Sequence, residues 1–382
     1  MKKPDVRLDA EAFLDYFGDL EDPRQQGKID HLLVDILVIA LLAVICGAET
    51  WSQIAAYGER KRGLLETLLP LRHGIPSKHT FQRVFARLKP SAFGAAFRGW
   101  TTHLFGVTDG KVIAVDGKTL RGSGRANPLG RAMHLVHAWS VQNRMLLGQY
   151  ATDAKSNEIT AIPELLKLLD LKGAVVTIDA GGCHKGIAAT IVQDEGNYVI
   201  TVKGNQPKLL AAVTQRMEEV RSSPELVSYA EESNGGHGRQ ETRRVWAADA
   251  WALAVAALWP GLRSCVMVET TRWRKADNTT TREVRYAISS LPHDDAARHG
   301  RLIRGHWQVE NALHWSLDVA FHEDDSLIHV GHAPENLSLV RKFALTLLTR
   351  DKTRRASVAE RRKVAGWDDQ FLLALLRQGI TE

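Results

Sequence analysis

Apolar residues change their period along this chain, and each change marks a different kind of element. Residues 10–22 place Phe13, Leu14, Phe17 and Leu20 among acidic residues, the spacing of a short amphipathic helix. From about Asp30 to Cys46 nearly every position is apolar, which predicts a helix buried all round at the core of an N-terminal helical unit. A second helix starts near Thr50 and runs towards Arg62. In GIPSKHTFQRVFARL, residues 74–88, Ser77 is placed to cap a helix with Phe81, Val84, Phe85 and Leu88 inside. Lys78, Gln82, Arg83 and Arg87 form its polar face. Pro90 stops that helix, and Phe93–Phe105 is helical again.

After Lys111 the period shortens to that of strands. Val112–Val115 reads as a buried strand that ends at the turn dipeptide Asp116-Gly117. His134–Ser140 and Leu146–Ala151 are strands joined by a turn near Gln142-Asn143, and Asn157 caps the amphipathic helix of KSNEITAIPELLKLLD. Ala174–Ile178 is a strand that ends at Asp179, and Tyr198–Val202 is another, ending in KGNQPK. Two apolar strands thus each deliver an aspartate at the carboxyl edge, where sites form in open α/β sheets. Residues 209–295 break the rhythm. HGRQETRRVWAA, SCVMVETTRWR and TTTREVRYAISSL read as strands with exposed arginines, an inserted β-rich module. Trp273, between Arg272 and Arg274, is the tryptophan there best placed to stack on a nucleobase. From Gly305 the pattern is helical, with Glu310, His314 and Asp318 along one face. Helices continue to residue 382, through the basic stretch TRDKTRRASVAERRKVAG.

Composition narrows the chemistry. The 382 residues carry a net charge of +6, which favours a polyanionic partner such as nucleic acid. Cys46, Cys183 and Cys265 are far apart and fit neither a disulfide framework nor a zinc site, and the N-terminus has no secretory apolar region. A cytoplasmic protein is expected. Asp35 interrupts the longest apolar stretch, Leu32–Cys46, so no membrane span is expected either. There is no GxxxxGK[ST] phosphate loop. Asp116, Asp179 and Glu310 can form a carboxylate cluster for two divalent cations about 3.5–4 Å apart. Oxygen donors suit Mg²⁺ or Mn²⁺. Asp318 is the rival for the third position. Lys118, Arg121 and Lys203 are candidate phosphate contacts, and the capped basic helix with Arg83 and Arg87 has the form of a helix-turn-helix recognition element.

The order strand-Asp, strand-Asp, insertion, helix-Glu resembles the DDE transposases. AVDGKTLRGS, KSNEITAIPELL, TIDAGGCHK, YVITVKGNQP, GHGRQETRR, HWQVENALHWSLDVAFHEDDS and ERRKVAGWDDQFLLALL resemble the H-repeat-associated family of insertion-sequence transposases. FGDLEDPRQQGKIDHLLVDILVIALLAVICGAETW resembles that family's N-terminal associated domain. The resemblance implies an α/β fold: an RNase H-like core with a β-rich insertion between the second Asp and the catalytic Glu, behind an N-terminal helical domain. The expected segments are 1–106 (helical), 107–208 (first part of the core), 209–295 (insertion), 296–350 (catalytic-Glu helix and end of the core) and 351–382 (basic helical tail). It further implies that Asp116, Asp179 and Glu310 hold two ions of Mg²⁺ or Mn²⁺, with Asp116 bridging both. They would cut double-stranded DNA at element ends and transfer the 3′-OH ends to a target, in a homodimer. Lys118, Arg121, Lys203, Arg239, Arg304, His314, Arg83 and Arg87 are the expected DNA contacts. One motif departs. The Tyr-Arg-Glu-Lys pattern of related transposases is replaced by Ile303, His306 and Leu317 around Glu310. Arg304, His306 and His314 are the candidates to take over its phosphate binding. Two other readings fit the same residues: a catalytically inactive DNA-binding derivative, and a metal-dependent nuclease without strand transfer.

Overall fold

The computed structural model describes residues 15–27, 29–105, 112–152, 157–236, 238–353 and 355–376. Residues 10–14 of the expected helix over 10–22 lie outside them, as do Lys111, Lys155, Ser156, His237 and residues 377–382; of the remainder of that helix, residues 15–17 are helical and 18–22 are not.

The apolar run after Lys111 becomes strand β1 (Val112–Leu120). On one side it pairs in antiparallel fashion with β2 (Met133–Ser140), which turns back into β3 (Met145–Ala151). On the other side lie the parallel strands β4 (Val175–Ile178) and β5 (Asn197–Val202). VIAV, VVTI and YVIT have no polar alternation because these strands are covered on both faces. One face carries α5 (Glu158–Leu166), α6 (Lys185–Gln193) and α7 (Pro207–Val220), whose Leu165, Ile187 and Val213 pack on Ile113, Val115, Ile178 and Ile200. Opposite lies α8 (Ala296–His306), which packs Leu302 and Ile303 on Val175 and Val199.

Three sequence expectations change here. First, Asp116-Gly117 is not a turn. Parallel pairing stops at Val115 opposite Ile178, but β1 continues to Leu120 against β2. Asp116 therefore leaves the parallel sheet while still held in a strand. Second, the 209–295 region opens with a helix, α7, and its strands extend the core sheet. After β6 (Val227–Gly236), β7 (Arg239–Asp249) and β8 (Ser264–Arg274), β9 (Thr279–Ser289) pairs antiparallel with β5. The result is one nine-stranded sheet of order β3-β2-β1-β4-β5-β9-β8-β7-β6. Strand β6 had no apolar signal because nearly all its side chains face solvent. Third, the segment carrying Glu310 is not a plain α-helix. After α8 the backbone widens into a π-helical turn, Val309–His314, before α9 (Trp315–Phe321).

The N-terminal helices fold as the sequence predicts. They are α1 (Leu33–Ile45), α2 (Trp51–Arg60), α3 (Lys78–Arg87) and α4 (Pro90–Phe105). Ser77 accepts from Thr80 N, and Phe81, Val84 and Phe85 are buried. Their core is shared with α10 (Ala333–Arg350), α11 (Val358–Trp367) and α12 (Asp369–Leu376). Asn336 on α10 donates to the Phe85 and Leu88 carbonyls, closing the end of α3. The basic tail is partly internal. Arg362 is buried, donates to the carbonyls of Val44 and Ala320, and lies over the Phe321 ring. No described helix is long and apolar enough to cross a membrane.

Candidate active site

Four carboxylates from four segments converge where the parallel sheet ends. Asp116 extends from β1, and its Oδ1 accepts from Gly117 N at 2.9 Å. Asp179 directly follows β4, and its Oδ1 accepts from Gly181 N at 2.8 Å. Glu310 lies in the π-helical turn. Glu158, the first residue of α5, is the fourth, and sequence reasoning missed it. An acidic residue in the first turn of a helix is the ordinary complement to the helix dipole, so its sequence signal was that of a cap. Burial, then Asp179, Glu158 and Glu310, push the Asp116 carboxyl up to about 7. Burial and Asp179 raise Glu310, against the pull of Arg285 and Lys203.

The helical face predicted from spacing is real. Glu310 lies towards Asp179, His314 Nδ1 is 3.5 Å from Asp116 Oδ2, and Asp318 meets Lys118. The match is geometric. Four residues of helix advance about 6 Å. Two residues of strand advance about 6.6 Å. His314 and Asp318 therefore keep step with Asp116 and Lys118. Burial and the Lys118 and Lys342 cations hold the His314 imidazole down at about 3, so it faces Asp116 as a neutral ring. Behind it His137, opposite Asp116 on β2, is completely buried with its ring 5.6 Å from that of His314.

The expected cations are placed differently from one another. Lys118 is buried, and its Nζ donates to both Asp318 oxygens at 2.7 and 2.8 Å, with Asp324 at 3.4 Å. It clamps β1 to α9 and the 323–325 turn. Asp318, the rival third ligand, is committed to the same clamp. Arg121 is exposed, 3.5 Å from Asp324, and Lys203 is exposed after β5. Arg239 and Arg304 are half-exposed and pair with Glu241 and Glu232 on the extended strands. Arg83 and Arg87 lie on the exposed face of α3. His306 is buried against Thr177, and Ile303 and Leu317 are core residues; of the three candidates to take over phosphate binding, Arg304, His306 and His314, only Arg304 is exposed. Trp273 donates from Nε1 to Asn278. Arg285 stacks on Trp307, 4.3 Å from the ring centre, beside the Glu310 turn.

Comparison with known proteins decides the family. A family model described as "Transposase DDE domain" matches residues 107–347, and one described as "DDE_Tnp_1-associated" matches residues 14–101. The chain belongs to the DDE transposase family. It is 39% identical to "Putative transposase YncI" of Escherichia coli O157:H7, over 93% of this chain and 92% of that one. It is 37% identical to "H repeat-associated putative transposase YhhI" of Escherichia coli K12, over 97% and 98%. Among solved structures, a piggyBac transposase synaptic complex with hairpin DNA aligns over 97% of this chain and 78% of its own, at 10% identity and TM-score 0.40. The H-repeat relationship expected from the motifs stands, and so does the expected α/β fold behind a helical N-terminus.

Proposed function

We propose that this chain cuts the ends of its own mobile element and joins their 3′-OH ends to target DNA, with Asp116, Asp179 and Glu310 as the acidic triad. The observation that carries the reading is the convergence on Asp116. A half-buried carboxyl there has three others around it. The side chain that faces its other oxygen, His314, is an imidazole held neutral. That negative charge calls for a cation, and an all-oxygen donor set fits Mg²⁺ or Mn²⁺. Among the described residues no three His, Cys, Asp or Glu side chains stand close enough to hold an ion as placed. The donors fit such an ion by type and charge. When bound, two such ions supply Lewis-acid stabilisation of the scissile phosphate and lower the pKa of the attacking hydroxyl.

The chain's own residues do the rest. Asp116, at the centre of the cluster, would be a ligand common to both ions, and Asp179 and Glu310 would each hold one. The backbone amides of Gly117 and Gly181 fix one oxygen of each aspartate and leave the other to turn inward. His314 packs against Asp116 and limits its rotation. Lys203 and Arg285 act on Glu310 and Arg121 is exposed beside Asp324, and these three would bind DNA backbone phosphates, as forks or point charges. Arg239 and Arg304 exchange their glutamate partners for phosphate when duplex DNA docks along the extended strands. The partner is double-stranded DNA, both element ends and target, and cutting two ends in concert requires two copies of the chain. The test is a joining assay with the purified chain, DNA carrying its element's ends, a target plasmid and Mg²⁺ or Mn²⁺. Joined strands from wild type, absent with Glu310→Gln and retained with a destabilised Asp318→Asn, support the reading. Cleaved ends without joining would make it a nuclease, and retarded mobility without products a DNA-binding derivative.

A further inference from the structure

We propose that Glu158 is a fourth carboxylate of the metal centre, presented to it by His134. The inference rests on the metal-dependent reading above. Three elements fix the side chain. His134 on β2 has Nε2 2.8 Å from Glu158 Oε1, and its Nδ1 is 2.8 Å from Thr119 Oγ1 on β1. With Oε1 held, Oε2 is free to face the aspartates. A carboxylate oriented by a hydrogen bond from histidine is a better-placed ligand than a freely rotating one.

Two glycines make room for this arrangement. A Cβ at Gly117 would stand 1.9 Å from Glu158 Oε1 and 2.6 Å from His134 Nε2. A Cβ at Gly181 would stand 3.0 Å from Glu158 Oε2 and 3.1 Å from Asp179 Oδ1. Neither glycine has a positive φ, so the backbone does not demand glycine at either position. Space does, and the space is the one that Glu158 occupies. The second contact also shows that Glu158 Oε2 and Asp179 Oδ1 both approach the same point beside Gly181. An open groove of about 350 Å³ passes His134, Asn157, Glu158 and Gly181, giving solvent and ions access to it. Charge agrees with the geometry, since four carboxylates balance two divalent cations.

The experiment titrates the DNA-free protein with Mn²⁺, reading free Mn²⁺ by electron paramagnetic resonance, for wild type, Glu158→Gln, His134→Gln and Asp116→Asn. Joining is then measured against Mn²⁺ concentration for the same proteins. Metal-free melting curves control for folding. Glu158→Gln is expected to weaken Mn²⁺ binding by about 10-fold or more, and to raise the Mn²⁺ needed for half-maximal joining by the same factor, at an unchanged metal-free melting temperature. His134→Gln, which keeps a donor, gives a smaller shift in the same direction. If Glu158→Gln binds Mn²⁺ as wild type does while Asp116→Asn does not, the role of Glu158 is overturned and the triad stands. If Asp116→Asn also binds as wild type does, the metal reading falls and this inference with it.

Discussion

Replacing Lys118 by Met separates two roles for a residue that lies two positions from Asp116. As a phosphate contact, Lys118 would contribute to DNA affinity and little to stability. The structure makes it a clamp instead, with a buried Nζ bonded to both oxygens of Asp318 and close to Asp324. Met fills the same volume but leaves two aspartates facing each other without the cation. Removing one partner of a fully buried pair costs about 3–5 kcal/mol. Asp318 is 36% exposed, so solvent relieves part of that, and a loss of about 2–3 kcal/mol is expected. At about 2.1 cal/mol/K per residue, the unfolding entropy of this chain is roughly 0.8 kcal/mol/K, so the melting temperature falls by about 3 °C. Urea melts read the stability. DNA binding at several salt concentrations reads the phosphate contacts, through the slope of log affinity against log salt. The clamp predicts reduced stability and an unchanged slope. Wild-type stability with a slope lowered by about one would refute it, because that is the signature of a lost phosphate contact.

Other consequences are as specific. Gly117→Ala places a methyl where Glu158 Oε1 lies, and should impair joining far more than it lowers the melting temperature; equal activity would show that the close approach is dispensable. Asn336→Ala removes both donors that close α3 on α10, and an equilibrium melt should show about 1–3 kcal/mol lost from leaving buried carbonyls unpaired. Burial raises the Glu335 carboxyl from 4.5 to about 7. The folded state therefore holds this proton where the unfolded chain releases it, and stability from this group is lost as pH rises from about 4.5 through about 7. Glu335→Gln should gain on wild type across that window and run parallel above it, as measured by urea melts at stepped pH.

Much of this was legible in the residues. Apolar runs such as Val112–Val115 and Val175–Ile178 locate buried strands, because a strand covered on both faces has no other pattern. Helical spacing placed Glu310, His314 and Asp318 on one face, and the structure sets that face along β1. Long-range approach was not legible. Asp-Gly after an apolar run is the ordinary signature of a turn, and nothing local says that Gly117 is there for a glutamate 41 positions later in the chain. Lys118 looked like a phosphate contact because its charge is visible in sequence while its burial against α9 is not. His306 looked free to replace a lost arginine, yet it is buried beside Thr177. Strand β6 escaped because a polar edge strand carries no alternation to read.

The most direct test of the central claim is metal specificity at Asp116. Strand joining would be measured for wild type, Asp116→Asn and Asp116→Cys, each in Mg²⁺ and in Mn²⁺. A thiolate is a softer ligand that Mg²⁺ accepts poorly and Mn²⁺ better. The account predicts joining by wild type in both ions, none by Asp116→Asn in either, and joining by Asp116→Cys in Mn²⁺ alone. Joining in Mg²⁺ by Asp116→Asn or Asp116→Cys at the wild-type rate would contradict it, because Asp116 would then hold no metal in the reaction.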